Sequence, residues 1–472
     1  MSSISARRAD MDNRNCPAKK KRRLTLGLQS LNFLSLPEDI VLRITAGITL
    51  KEAVRISAVC SNLRKAWIHH PNLDFDISTV LAKGNQCSGR YNRVMDIKRF
   101  IDTVNFILRE HSGFAVNRLA VKFELHKEHA NDIDGWVYFA IASKARVVVL
   151  NFSPYLGPYD NYYNFPGHLF NNQNSSHLQV LQLDRVTLDP NDLHGFSNLR
   201  TLSLERVLLL QDLQYLLLKC PVLERLSICL CPELHDLYAA EPLQQLKFLC
   251  VQYCDISKID LHAPNLIAFE YRGNSNVFFA LKECLKLQTA TIAFHVAENI
   301  GYVFTEIPVV LPHVETLHVE VHVNTQIHGF AKAPLRFLYL RHFSMKIILA
   351  GAKRSGKNSI LQLAYILEAA PFLVDLHLDM NCGSFCEYPP KRDVIADRRH
   401  HNLKQACIIG FNGNGGQVAL VKYILRNAVQ LERMVIDPGG KAVVQWMREH
   451  IGRISAKSEL VPRDRKGVLT IL

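Results

Sequence analysis

The chain has 472 residues, 48% hydrophobic and 21% charged, a composition that excludes a largely disordered polymer and a length that exceeds one compact core. Either two or more domains or one elongated repeat structure remains. The formal net charge is +13, yet residues 1–23 hold eight Lys/Arg against two Asp, so the other 449 residues carry only +7.

Residues 1–30 read as a disordered basic tail. The run Lys19, Lys20, Lys21, Arg22 and Arg23 follows Pro17 and reads as a nuclear import signal, which predicts a location in the nucleus and/or the cytoplasm. Direct nucleic-acid binding and a merely solvated end are the weaker readings of the same run. No apolar stretch follows it as in a secretory leader, and no uninterrupted apolar run of 18 residues predicts a membrane span. The 12 cysteines are scattered and are expected as reduced thiols. Cys382 and Cys386 stand near His377 at a loose metal-like spacing, but no second pair accompanies them.

Residues 31–75 predict three short helices. Ser35 with Glu38 forms a capping box, Pro37 falls in the first turn, Ile40, Val41 and Ile44 make an apolar face, and Gly47 stops the helix. Thr49 with Glu52 repeats the box ahead of Leu50, Ala53, Val54 and Ser57. The third helix starts near Ser61, sets Leu63 and Trp67 on one face, and ends before Pro71. So small a unit cannot cover its own apolar surface, which leaves either a partner subunit or the following domain to cover it.

The order Leu36-Pro37-Glu38-Asp39-Ile40, Leu50-Lys51-Glu52-Ala53-Val54-Arg55, Val59-Cys60 and Trp67 resembles an F-box. It departs from that pattern at Leu63, where tryptophan is frequent, and at Gly47, where a helical residue is usual. The resemblance implies a three-helix module that docks on a Skp-type adaptor and, through it, a cullin ubiquitin ligase. Leu36, Pro37, Ile40, Ile44, Leu50, Val54, Val59 and Trp67 are the core and docking positions it implies.

Residues 76–472 predict a leucine-rich-repeat solenoid with a parallel β-sheet, an α/β fold. The pattern apolar, two residues, apolar, one residue, apolar starts at Leu178, Leu199, Leu223, Leu246, Leu266, Leu287, Val314, Leu335, Leu373, Leu403 and Leu431. Weaker copies start at Val116 and Ala145. From Leu178 to Leu335 the starts are 20 to 27 residues apart, within the leucine-rich-repeat range. Alternation sends the apolar positions inward and the skipped ones outward. The skipped positions Phe248, Glu270, His318, Phe337, Tyr339 and His377 are the candidate contacts to a protein substrate, the aromatics foremost. Pro221, Pro264, Pro312, Pro334 and Pro371 precede the strands and are expected to end helix-like returns.

Gly351-Ala-Lys-Arg-Ser-Gly356-Lys357-Asn358 lies between a strand-like and a helix-like run, the context of a phosphate-binding loop. That loop needs Ser or Thr directly after the lysine, and Asn358 stands there with Ser359 one residue late. It falls in the longest interval between repeats and reads as a basic connector. His318, Glu320 and His322 alternate on one strand as metal ligands could, with no third histidine fixed beside them. No Gly-x-Ser-x-Gly or His-Glu-x-x-His motif occurs.

Residues 368–440 close with Leu403-Lys404, Gly410-Phe411-Asn412-Gly413, Leu431-Glu432-Arg433-Met434 and Asp437-Pro438, which resemble the FBD region found after leucine-rich repeats in plant F-box proteins. Together the resemblances imply a non-catalytic substrate-recognition subunit without a cofactor. The sequence-level alternatives are a non-degradative interaction protein and a nucleotide-binding enzyme using the 351–358 loop.

Overall fold

The computed structural model of the protein describes residues 40, 46–59, 66–80, 90–114, 116–153, 161–171, 173–174, 176–295, 302–323, 335–349, 360–381, 398–439 and 445–472. One parallel sheet of 15 strands runs from residue 72 onward, and each inner strand of it pairs with the sheet's preceding and following strands in chain order. It opens with β1 (Asn72–Asp76), β2 (Arg118–Lys122) and β3 (Val147–Asn151). The regular repeats follow as β4 (Val180–Asp184), β5 (Thr201–Glu205), β6 (Arg225–Cys229), β7 (Phe248–Gln252), β8 (Ala268–Gly273) and β9 (Thr289–Phe294). It closes with β10 (Thr316–Val323), β11 (His342–Leu349), β12 (Asp375–Asn381), β13 (Gln405–Ile409), β14 (Arg433–Asp437) and β15 (Leu469–Ile471). The predicted α/β solenoid is therefore present, and the weak copies at Val116 and Ala145 are full members of it.

The strands from β1 to β14 bury alternate residues, as in Leu202 and Leu204 of β5 or Leu226 and Ile228 of β6, while Leu469 and Ile471 of the terminal β15 are only half-buried, so one continuous apolar core lies behind the sheet. The return segments change character with their length. The long intervals carry helices: α2 (Arg90–Glu110) before β2, α3 (Ala130–Ala142) before β3, α4 (Gly415–Asn427) before β14 and α5 (Gln445–Glu459) before β15. The shorter intervals between β6 and β9 return instead through Asp236–Tyr238, Lys258–His262 and Phe278–Lys282, a small parallel sheet of their own. An extended residue advances about 3.3 Å against 1.5 Å in a helix, so a short return spans the core as a strand. Pro264 accordingly follows a strand, against the expectation of a helix, whereas Pro221, Pro312 and Pro371 do follow helical turns.

One repeat is shifted from its predicted register. The start at Leu335 is not a strand: Leu335 and Leu338 are exposed and Phe337 is fully buried. The strand is β11, led by Leu340 and burying Phe343, Met345 and Ile347. Phe337 is a core residue, which removes it from the candidate contacts.

Of the helical head, Ile40 is helical, α1 spans Leu50–Val59, and a 3₁₀ turn spans Ala66–His69. A complete three-helix bundle is not among the described residues. The capping box forms as its spacing predicts: Thr49 N–H donates to Glu52 Oε2 at 2.9 Å and Glu52 N–H to Thr49 Oγ1 at 3.3 Å. The head leans on the solenoid, because Leu50 and Ala53 are buried and Leu50 joins the common core. His70 ties the two together, its Nε2 3.0 Å from the Ile48 carbonyl while Asn72 N–H donates to its Nδ1 at 3.2 Å.

Candidate partner-binding surfaces

The register builds the open face of the sheet row by row. Cys250, Glu270, Thr291, His318, Ser344, His377 and Cys407 are successive partners across the strands and form one row. Gln252, Arg272, Ala293, Glu320, Lys346 and Asp379 form the next. The candidates Glu270, His318 and His377 thus share a row, and Phe248 lies in the row on the other side, level with His342 and Asp375.

The side chains on these rows are knitted together. Arg272 Nε donates to Glu270 Oε1 at 2.9 Å and its Nη1 reaches Glu320 Oε2 at 3.4 Å. Gln252 Nε2 also donates to Glu270, at 2.9 Å. Glu320 further accepts from Lys346 Nζ at 2.5 Å and lies 3.5 Å from His322 Nε2. Burial alone would push the Glu320 carboxyl up, but Lys346, His322 and Arg272 outweigh it and hold the group below its ordinary range. Burial, with the Arg272 charge behind it, pulls the His318 imidazole down. His318 and His322 do face one side of β10, as predicted, but Glu320 between them is already held by two cations. Among the described residues no group of three or more His, Cys, Asp or Glu could hold a metal ion.

The predicted aromatics differ in role. Phe248 is half-buried beneath the Arg225 guanidinium, whose carbon lies 4.1 Å from the ring centre. Tyr339 is 50% exposed in the loop ahead of β11, its ring 5.3 Å from that of His313. The sequence reading missed a shelf at the ends of the strands, where the Tyr253 ring stacks on His295 at 4.8 Å and His295 meets His322 edge-on. Tyr253 has φ +55°, and Arg185, Arg206 and Leu230 repeat this left-handed conformation after β4, β5 and β6. Glycine is the residue that signals such a turn in a sequence, and among the described residues only after β13 does one, Gly410 at φ +73°, occupy it.

The head presents a second surface. Leu50 is turned into the core, Trp67 is half-buried and packs near Phe106 with ring centres 6.3 Å apart, and Val54 and Ile56 are exposed. Val59 ends α1, and Ile40 is half-buried. Leu36, Pro37, Ile44, the cations Lys19 to Arg23, Cys382, Cys386 and the loop 351–358 lie outside the described residues. On β12, Asp375 Oδ2 lies 2.6 Å from His342 Nδ1. No helix among the described residues is long and apolar enough to cross a membrane.

A parallel solenoid with an open polar face and a helical head defines a leucine-rich-repeat scaffold. The chain belongs to the family described as At1g61320/AtMIF1, LRR domain, which it matches over residues 107–471. It is similar to the Arabidopsis thaliana F-box/FBD/LRR-repeat protein At1g13570, 26% identical over 275 residues, which are 58% of this chain and 56% of that one. The F-box protein At5g03100 of the same plant is 29% identical over 210 residues, 44% of this chain and 59% of the relative. The chain thus spans little more than half the length of either. A third Arabidopsis protein, At5g62970, whose name carries the same F-box, FBD and LRR parts as the first, aligns over 430 residues at 24% identity, 85% of this chain and 91% of its own.

Proposed function

We propose that the protein is the substrate-recognition subunit of a Skp-cullin-F-box ubiquitin ligase. The head docks on the adaptor and the open face of the sheet holds a target protein. The observation that carries this reading is the joining of an F-box-like sequence at residues 36–67 to a leucine-rich-repeat scaffold, the combination that the names of its relatives also record. Val54 and Ile56 on α1 support it, as apolar side chains that are exposed among the described residues. Tethering raises the effective concentration of a target lysine beside a ubiquitin thioester held elsewhere, so no catalytic side chain is required of this chain. Lys19 to Arg23 serve as an import signal in this reading, with the protein in the nucleus and/or the cytoplasm.

Affinity capture of the tagged full chain from plant tissue, with the proteasome blocked, tests the reading. The wild type is expected to bring down both adaptor and cullin, and Leu36→Ala with Pro37→Ala to lose both. Adaptor without cullin supports a non-degradative interaction protein instead. Unchanged capture by the double variant overturns the head assignment, and a fluorescent fusion with Lys19 to Arg23 changed to Ala is expected to lose nuclear enrichment.

A further inference from the structure

A cleft of about 310 Å³ opens where the helical head meets the solenoid, and four elements wall it. The wall from α1 is Leu50, Lys51, Val54 and Arg55, that from α2 is Thr103 and Ile107, Phe75 comes from β1, and Thr79 and Val80 come from the short helix after it. Its floor is apolar, since Leu50, Phe75 and Ile107 line it and are each less than a tenth exposed.

Apart from the Arg55 guanidinium, the polar side-chain atoms of the walls are spent. Thr103 Oγ1 donates to the Arg99 carbonyl at 2.7 Å, and Thr79 Oγ1 donates to the Asp76 carbonyl at 2.9 Å, leaving their methyl groups for an occupant. Lys51 Nζ is bonded to the Ser78 carbonyl. The nearby carboxylates are also committed: Asp76 accepts from Ser78 Oγ and Thr79 N–H, both at 2.7 Å, and Glu52 caps α1. The lining therefore contains two cations and no carboxylate, and the Arg55 guanidinium stands exposed at its edge.

An apolar floor with the exposed Arg55 guanidinium beside it and no carboxylate in its lining is complementary to one kind of ligand. We propose that this cleft binds a small amphipathic acid, its hydrocarbon body over Phe75 and Ile107 and its anionic group on Arg55. The volume lies at the lower end of the range for small-molecule sites, which suits a body of one ring or a short alkyl chain. Because α1 belongs to the head while Phe75 and Ile107 belong to the solenoid, the bound acid fixes how the two are joined.

Isothermal titration of the full chain with octanoate tests this, with octan-1-ol as the uncharged control. Octanoate is expected to bind once per chain, and octan-1-ol about tenfold or more weakly, the loss of one charge-assisted contact. Arg55→Glu, an exposed change that leaves the core untouched, is expected to weaken octanoate by at least about tenfold. Thr103→Trp, which fills the cleft, is expected to abolish binding. No heat with octanoate, equal binding of acid and alcohol, or unchanged affinity in Arg55→Glu overturns the proposal. Complete loss of octanoate binding on adding purified adaptor also overturns it, since the cleft then belongs to that interface.

Discussion

Phe337 and Tyr339 are near neighbours in the chain with opposite surroundings, the first fully buried and the second half exposed. The stretch Leu335 to Leu349 satisfies the repeat pattern in two registers, because apolar residues fill nearly every other place along it. Pattern matching cannot choose between them; burial does, by continuing the inward alternation through Ile347. Replacing Phe337 by Ala is expected to cost about 3–5 kcal/mol, the usual penalty for emptying an aromatic site in a core. Tyr339→Ala is expected to cost less than about 1 kcal/mol. Denaturant titration of both variants checks this, and equal losses would restore the other register. The remaining candidates on the face were legible because outward positions on a regular strand follow from period two alone. Their partners were not, since the link from Arg272 to Glu320 joins residues from different repeats across an intervening strand.

At the scale of elements, the two ends of the sheet were the hardest to read. In β1 the leading apolar position is held by His70, and in β15 by Lys466, whose Nζ bonds the Ala428 and Val429 carbonyls at 2.6 and 2.9 Å. A polar side chain at the repeat's first position hides the strand from a hydrophobic pattern, although it satisfies backbone carbonyls there. The turns after the strands show the opposite economy. A Cβ on Gly410 would stand 2.2 Å from the Met380 carbonyl oxygen, so Gly410→Ala meets rigid backbone as well as a left-handed φ. It is expected to destabilise by about 2 kcal/mol or more. Leu230→Gly, at φ +54° and exposed, relieves strain while loosening the unfolded chain and is expected to change stability by less than about 1 kcal/mol. Thermal or chemical melts of the pair distinguish a turn that demands glycine from one that tolerates a side chain.

Across the whole molecule, burial pulls the imidazoles of His111, His129, His295, His318 and His400 below their ordinary value. The unfolded chain, with histidines near 6.5, then binds protons that the folded chain refuses. Their contribution is fully present above about pH 6.5 and is lost as pH falls from there toward the depressed folded values. The thermal midpoint is expected to drop between about pH 7.5 and about pH 5.5, and His295→Gln with His318→Gln to flatten that drop. A midpoint that rises on acidification would contradict it. The solenoid as a whole was legible because its period recurs many times. The meeting of head and solenoid was not, as no periodicity spans it. The strictly sequential strand order carries a last consequence: any patch on the open face is a mosaic of positions from separate repeats, so no short peptide cut from this chain reproduces it. Loss or duplication of one repeat would slide one half of the mosaic past the other, giving a new recognition surface on an unchanged framework.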